Sequence, residues 1–297
     1  KIDITTGISV LPLHDMRTYA GDVATADILT NGRLILGVGR GAFAWEMKRL
    51  GSPIEESKEK FLESLEVLQL LLSKKEVSYR GKYYNFDPIT IMPRPVSNPI
   101  QMMIAAMDLN SIKNSASKGY HVQSTVLSGN KELLVQRVNA FKEGCQELGE
   151  KGKLLKLSMQ RMGYAAKDAN DAKAKNKLAY EYYKRFDNMF TGPGRVKNGE
   201  IEALDRKQSI DELTENSLTV LPSISEIINH LTKTLYLTFI DIKCWPIRSG
   251  MHFTMRISST ANNANFLNRE ALRVCSIWNK TPTKSMTFRE VLNIRKF

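Results

Sequence analysis

Residues 32–41, Gly-Arg-Leu-Ile-Leu-Gly-Val-Gly-Arg-Gly, combine a short apolar run with a dense group of glycines and one cation. Leu34, Ile35, Leu36 and Val38 show no apolar–polar alternation, the pattern of a parallel strand covered on both faces. Gly37, Gly39 and Gly41 let the backbone approach a ligand closely and adopt dihedrals that other residues avoid. Arg40 adds a planar, permanently charged fork that matches a phosphate. Two readings fit these residues: a phosphate-ended cofactor at the C-terminal end of a parallel strand, or a tight turn with a solvated arginine. The spacing is not a dinucleotide fingerprint, since no third glycine follows at the required distance and no helix starts there.

The elements around this turn alternate. Ile2–Leu11 reads as a strand, and Asp15 is placed to cap a helix over Met16–Leu29, closed by Asn31-Gly32. After the strand Leu34–Val38 come a loop with Phe43 and Trp45 and a helix over Ile54–Leu72. Phe61, Leu65, Leu68 and Leu72 form its apolar stripe, widened by Leu62. Val77–Phe86 reads as a hairpin around Arg80-Gly81-Lys82, and Pro93-Arg94-Pro95 forces an extended connection. Strands over Ile100–Ala106, His121–Leu127, Leu155–Ala165 and Tyr236–Trp245 alternate with helices over Asp108–Ser117, Lys131–Leu148, Asp168–Phe190 and Glu226–Leu235. A polar excursion occupies Thr191–Asn216. This alternation predicts a parallel sheet of barrel type, with six strand–helix units where a closed barrel has eight.

Composition narrows the function classes. The chain has 297 residues, 42% hydrophobic and 25% charged, enough for a substantial core, and no apolar stretch is long enough to cross a bilayer. Cys145, Cys244 and Cys275 have neither metal nor redox spacing, so a reducing cytosol fits, and His14, His121, His230 and His252 form no metal pattern. The net charge of +12 raises the question of nucleic acid. Residues 1–150 are nearly balanced, however, and the surplus sits in a lysine-rich helix without interleaved aromatics and in the C-terminal tail. That distribution reads as solvated surface, not as a nucleic-acid interface.

The blocks Thr6-Gly7 … Val10-Leu11-Pro12, Gly32-Arg33 … Gly37-Val38-Gly39-Arg40-Gly41, Glu63 … Leu68, Tyr79 … Gly81-Lys82-Tyr83-Tyr84 … Phe86 and Pro93-Arg94-Pro95 … Ile104-Ala105-Ala106 resemble, in order and spacing, the bacterial luciferase-like flavin monooxygenases. The resemblance covers residues 1–127, loosens to about 220, is faint to 267 and stops there. It implies an α/β fold of (β/α)8 barrel type, entered here at the third strand and therefore incomplete. The implied organisation is a barrel domain over residues 1–267 with an unmatched basic tail over 268–297. Between Gly199 and Gly250 the glycines that the family carries near its last helix and strand are replaced, at Leu221-Pro222-Ser223 and Tyr236-Leu237-Thr238.

The resemblance further implies that reduced FMN, or in one branch a deazaflavin coenzyme, lies in the barrel mouth. Arg40 and Gly41 would hold its phosphate, joined by the loop and helix start at Met107, Asp108 and Ser111, where free N–H groups bind anions. The family often has serine at the place of Met107, and Ser111 is equally suited to plain helix capping. Gly7-Ile8 falls where family members hold a cis peptide beside the flavin ring, although a packing glycine fits as well. His14 leaves the same strand end, where barrel catalytic groups collect, as a proton relay or as a mere hydrogen-bonding residue. The implied reaction is oxygenation of a small organic substrate (an aldehyde, sulfonate, ketone or similar) by O2, with reduced FMN from a separate flavin reductase. No membrane or nucleic-acid partner is expected, and a homodimer is compatible. The alternative is a flavin-binding or structural relative without turnover.

Overall fold

The first apolar run forms two short strands, β1 (Ile4–Thr5) and β2 (Ser9–Val10), both parallel to β3 (Leu34–Gly39). The computed structural model describes residues 3–125, 131–166, 168–205, 209–212, 218–221, 240–247 and 250–258. Thr6 carries the ladder across the break between β1 and β2. Its Oγ1 donates to the Gly37 carbonyl at 2.9 Å and accepts from the Gly37 amide at 2.8 Å. One side chain thus replaces the peptide group that a continuous strand would have offered.

Asp15 caps α1 (Met16–Leu29) by accepting from the Arg17 amide at 2.9 Å. All six residues of β3 are buried. The expected loop at Phe43 and Trp45 contains a short helix, α2 (Ala44–Arg49), before α3 (Ser57–Ser73). Phe61, Leu65, Leu68 and Leu72 of α3 face the core, whereas Leu62 is 53% exposed and lies outside the stripe. The hairpin β4 (Val77–Arg80) and β5 (Asn85–Ile89) is pinned to α3 by Glu63, whose carboxylate accepts from the Tyr83 and Tyr84 amides, each at 2.9 Å. Arg94, in the Pro-Arg-Pro connection, donates to the carbonyls of Leu71 and Leu72 at 2.8 Å and closes the C-terminus of α3.

β6 (Gln101–Ala105), α4 (Leu109–Ser117), β7 (His121–Thr125), α5 (Lys131–Leu148), β8 (Lys156–Ala165) and α6 (Ala169–Phe190) follow. A two-residue pair, β9 (Val196–Lys197) and β10 (Glu200–Ile201), precedes β11 (Leu218–Leu221), which lies parallel to β8. The parallel sheet runs β1/β2, β3, β6, β7, β8, β11, an open half-barrel consistent with an incomplete (β/α)8 fold. The strand expected at Tyr236–Trp245 departs from that scheme. Its described part belongs to β12 (Ile240–Ile247), which pairs antiparallel with β13 (Gly250–Ser258), itself antiparallel to β8. Only two residues separate β12 from β13, and a parallel return needs a crossover of a dozen or more. The expected helix at Glu226–Leu235, most of the glycine-poor stretch and the boundary near residue 267 lie outside the described residues.

Alternation along the strands separates two faces. Leu34, Leu36, Val38, Met102 and Ile104 point outward and bury against α1, α3 and the hairpin. Ala106, Val122, Leu157 and Met159 pack against α4 and α5 through Ile112, Leu134 and Phe141. Each fully buried side chain of this size contributes about 1.5–3 kcal/mol. The register sets Gly37 beside Met103 and His121, and Ala105 beside Gln123 and Ser158, on the inner face. That face turns polar toward β7 and β8, where His121, Gln123 and Ser158 lie, while Met103 is buried on it.

Candidate functional site

The C-terminal ends of β3 and β6 meet at one corner. Arg40 follows β3 and is exposed. Gly41 turns the chain with φ +93, and a Cβ there would lie 2.4 Å from the Met47 sulfur. On the neighbouring strand, Gly39 approaches Ala105, whose Cβ is 3.4 Å from the position a Cβ on Gly39 would take. Met107 then leads to Asp108, the N-cap of α4, which accepts from the Ser111 amide at 2.8 Å. Burial pulls the Asp108 carboxyl upward, but the Ser111 hydroxyl and amide, together with the positive charge of Arg40, hold it below the ordinary aspartate value. Arg40 and the first turn of α4 are therefore electrostatic neighbours.

This corner fits an anion. The Arg40 guanidinium forms no ion pair among the described residues, and the Leu109 and Asn110 amides precede any carbonyl that α4 itself offers. The helix dipole adds partial positive charge at the same point. The Ser111 amide donates to the Asp108 carboxylate that caps α4, and Met107 brings only its backbone polar groups to the corner.

Two of the three glycines have a different cause from close ligand approach. A Cβ on Gly37 would stand 2.0 Å from the Thr6 carbonyl oxygen, and one on Gly39 would stand 2.2 Å from Ile8 Cδ1. These positions admit the segment that joins β1 to β2. Gly41 alone combines a positive φ with its place at the corner.

Gly7 lies in that joining segment, and the Gly7–Ile8 peptide is cis. The Gln123 amide faces it, 3.8 Å from where a Cβ on Gly7 would be, and Gln123 Oε1 is buried without a hydrogen bond. A polar floor with an unmet acceptor thus extends from the corner across β7. His14 is placed elsewhere: its exposed ring stacks on Tyr19 at 4.6 Å, and its carbonyl accepts from the Tyr84 hydroxyl at 3.2 Å, both on the outer layer.

Phe43, three residues past Arg40, connects the corner to α6. Its ring stands edge-on to Phe186 at 6.2 Å and to Phe190 at 6.1 Å. Tyr182, Phe186 and Phe190, four residues apart, stack along α6 at 6.3 and 5.4 Å. Trp45 carries the Arg49 guanidinium 4.8 Å from its ring centre, and the Gly194 turn packs against it. α6 therefore leaves the end of β8 and reaches the loop after β3, across the mouth of the half-barrel.

One charged residue at the corner escaped sequence reasoning: Arg137 of α5, 6% exposed. It occupies an apolar-stripe position between Leu134 and Phe141, and a charge at a stripe position is the signal that marks it. Among the described residues, no group of three or more His, Cys, Asp or Glu side chains is arranged to hold a metal ion, and no helix is long and apolar enough to cross a membrane.

An open parallel α/β sheet whose loops gather a cation and a helix start at the C-terminal ends of its strands is of (β/α)8 barrel type. Within that class, the chain belongs to the luciferase-like monooxygenase family, whose model matches residues 1–222. The oxygenase component of the flavin-dependent trigonelline monooxygenase of Acinetobacter baylyi is 24% identical over 274 residues, 89% of this chain and 75% of that protein. The F420-dependent glucose-6-phosphate dehydrogenase of Amycolatopsis mediterranei is 37% identical over 109 residues, 35% of this chain and 32% of that one. Another curated relative is matched over 48% of its own length. Among solved structures, an F420-dependent secondary alcohol dehydrogenase in complex with an F420–acetone adduct shares the fold, with TM-score 0.62, 19% identity and coverage of 80% of this chain and 71% of that one.

Proposed function

We propose that this chain acts as the oxygenase component of a two-component system in which a separate flavin reductase supplies reduced FMN. With O2, it oxygenates a small organic substrate such as an aldehyde, sulfonate or ketone. The observation that carries this reading is the convergence of Arg40 with the N-terminus of α4 at the ends of two adjacent parallel strands. Arg40 and the Leu109 and Asn110 amides hold the phosphate, while Gly7 and Gln123 border the flavin ring. Bound reduced FMN supplies the reducing equivalents for O2 activation. The protein orients it and excludes water, with the rings of Phe43, Phe186 and Phe190 forming an apolar cover. The Acinetobacter relative, named as the oxygenase component of a flavin-dependent enzyme, supports the two-component arrangement.

A deazaflavin coenzyme is the second reading, favoured by the identity to the Amycolatopsis dehydrogenase. Anaerobic titration with reduced FMN and with the reduced deazaflavin, each followed by oxygen, separates the two. Tight FMN binding with substrate-coupled oxygen uptake supports the oxygenase. FMN binding with only uncoupled peroxide release supports a flavin binder without turnover. Arg40→Ala removes charge-assisted bonds of about 1.5–3 kcal/mol, so FMN affinity should fall about 10- to 150-fold with riboflavin affinity unchanged. No flavin binding, or a silent Arg40→Ala, would end the flavin reading.

A further inference from the structure

Arg137 is a charged side chain in a position built for an apolar one. Leu134, Arg137, Val138 and Phe141 follow the spacing of a buried helix face, and their apolar members belong to the core beneath α4 and α5. Arginine is rarely buried to this degree unless it is paired. Burial holds its guanidinium below ordinary basicity, and the Asp108 carboxylate works in the opposite direction. One Nη donates to the carbonyl of Thr125, the last residue of β7. The Nε–H is buried and has no acceptor among the described residues.

An unmet buried N–H of a charged group costs about 1–3 kcal/mol or more, so the site is complete only when something accepts from it. Its surroundings specify what that acceptor is. Asp108 feels both arginines, Arg40 from the end of β3 and Arg137 from α5. α5 packs on α4 and Arg137 reaches the end of β7, the strand beside β6, so its guanidinium stands at the strand ends from which α4 starts. The free amides of the first turn of α4 and the orphan Nε–H both call for an anionic oxygen.

We propose that Arg137 is a second phosphate-binding cation, donating its Nε–H to a phosphate oxygen of the bound flavin. This rests on the flavin reading of the corner. It makes the corner selective for phosphorylated flavins over the same ring without phosphate, because the buried donor remains unmet when riboflavin binds. Lysine at this position keeps the charge but lacks the fixed planar fork.

The test compares dissociation constants for FMN and riboflavin, measured by flavin fluorescence on the full chain, in the wild type, Arg40→Ala, Arg137→Gln and Arg137→Lys. The wild type should prefer FMN, and Arg137→Gln should lower the FMN-over-riboflavin affinity ratio about 10- to 100-fold. Arg137→Lys should lower the ratio less. Misfolded protein reduces the number of sites but leaves the ratio of the two constants unchanged. If Arg40→Ala collapses the ratio while both Arg137 variants keep it, Arg137 only supports Thr125 and the proposal is overturned with the flavin reading intact. Equal loss of both ligands in both Arg137 variants overturns it in the same way. A wild type without preference for FMN, or an Arg40→Ala ratio equal to wild type, overturns the flavin reading and this inference together.

Discussion

Replacing Gly37 by alanine tests whether the glycine-rich strand end is shaped by the chain or by a ligand. The new Cβ would meet the Thr6 carbonyl oxygen at 2.0 Å, the Thr6 carbonyl carbon at 3.0 Å and Ile8 Cγ2 at 3.3 Å. Reaching ordinary contact near 3.5 Å requires the Thr6 backbone to retreat by about 1.5 Å. That movement breaks both Oγ1 hydrogen bonds to Gly37, at about 0.5–1.5 kcal/mol each. Overpacking adds about 1–3 kcal/mol, so the total is about 2–6 kcal/mol. Against a stability of about 5–15 kcal/mol this is a large fraction. Urea unfolding followed by circular dichroism should show it as a lower midpoint, and the melting temperature should fall by roughly 10 °C. Gly39→Ala is the internal control. Its obstacle is Ile8 Cδ1, the far end of a flexible side chain, so the cost should be about 1–2 kcal/mol and Ile8→Val should recover most of it. The reasoning is refuted if Gly37→Ala loses less than about 1 kcal/mol, or less than Gly39→Ala. A glycine needed only for ligand approach would leave stability intact and abolish binding.

Two further outcomes follow from the titrating groups. The folded-state value of Asp108 lies below its ordinary 3.8, so its ionised form contributes stability that is fully present above that value and is lost as pH falls through the folded one. Asp108→Asn should therefore show a flatter decline of urea midpoint than the wild type as pH falls below about 4. Burial pushes the Cys145 thiol up to about 11, so iodoacetamide at pH 8 should alkylate it about a hundredfold more slowly in the native protein than in urea, as read by mass spectrometry of the Cys145 peptide. Equal rates would place that thiol in solvent.

Much of the outer layer is legible in the sequence because its causes are local. Asp15 and Asp108 cap the helices they precede, and the stripe Phe61, Leu65, Leu68, Leu72 turns inward as its spacing requires. What escapes are facts about which distant segments meet. Gly37 and Gly39 are recognisable as close-approach positions, but only the fold reveals that Thr6 and Ile8 approach them. The break in the first strand depends on a hydroxyl that bonds 31 residues away. The antiparallel return of β12 and β13 has no signature in a strand pattern that suits either direction. At the site, Arg40 and the start of α4 are marked by their types, whereas Arg137 is marked only by standing where a leucine would fit.

Among the described residues, the outer packing is divided between two hydrophobic clusters that adjoin at the end of β6, with Ile104 in the first and Ala106 in the second. Segments with separate cores tend to open as separate cooperative units, so amide exchange should show two tiers of protection divided along that line. The corner proposed to hold phosphate straddles the seam: Arg40 extends from the first unit, and Asp108 and Arg137 belong to the second. An anion held there would act as a staple between the two halves, and its binding energy would appear as coupling between units that otherwise fluctuate independently.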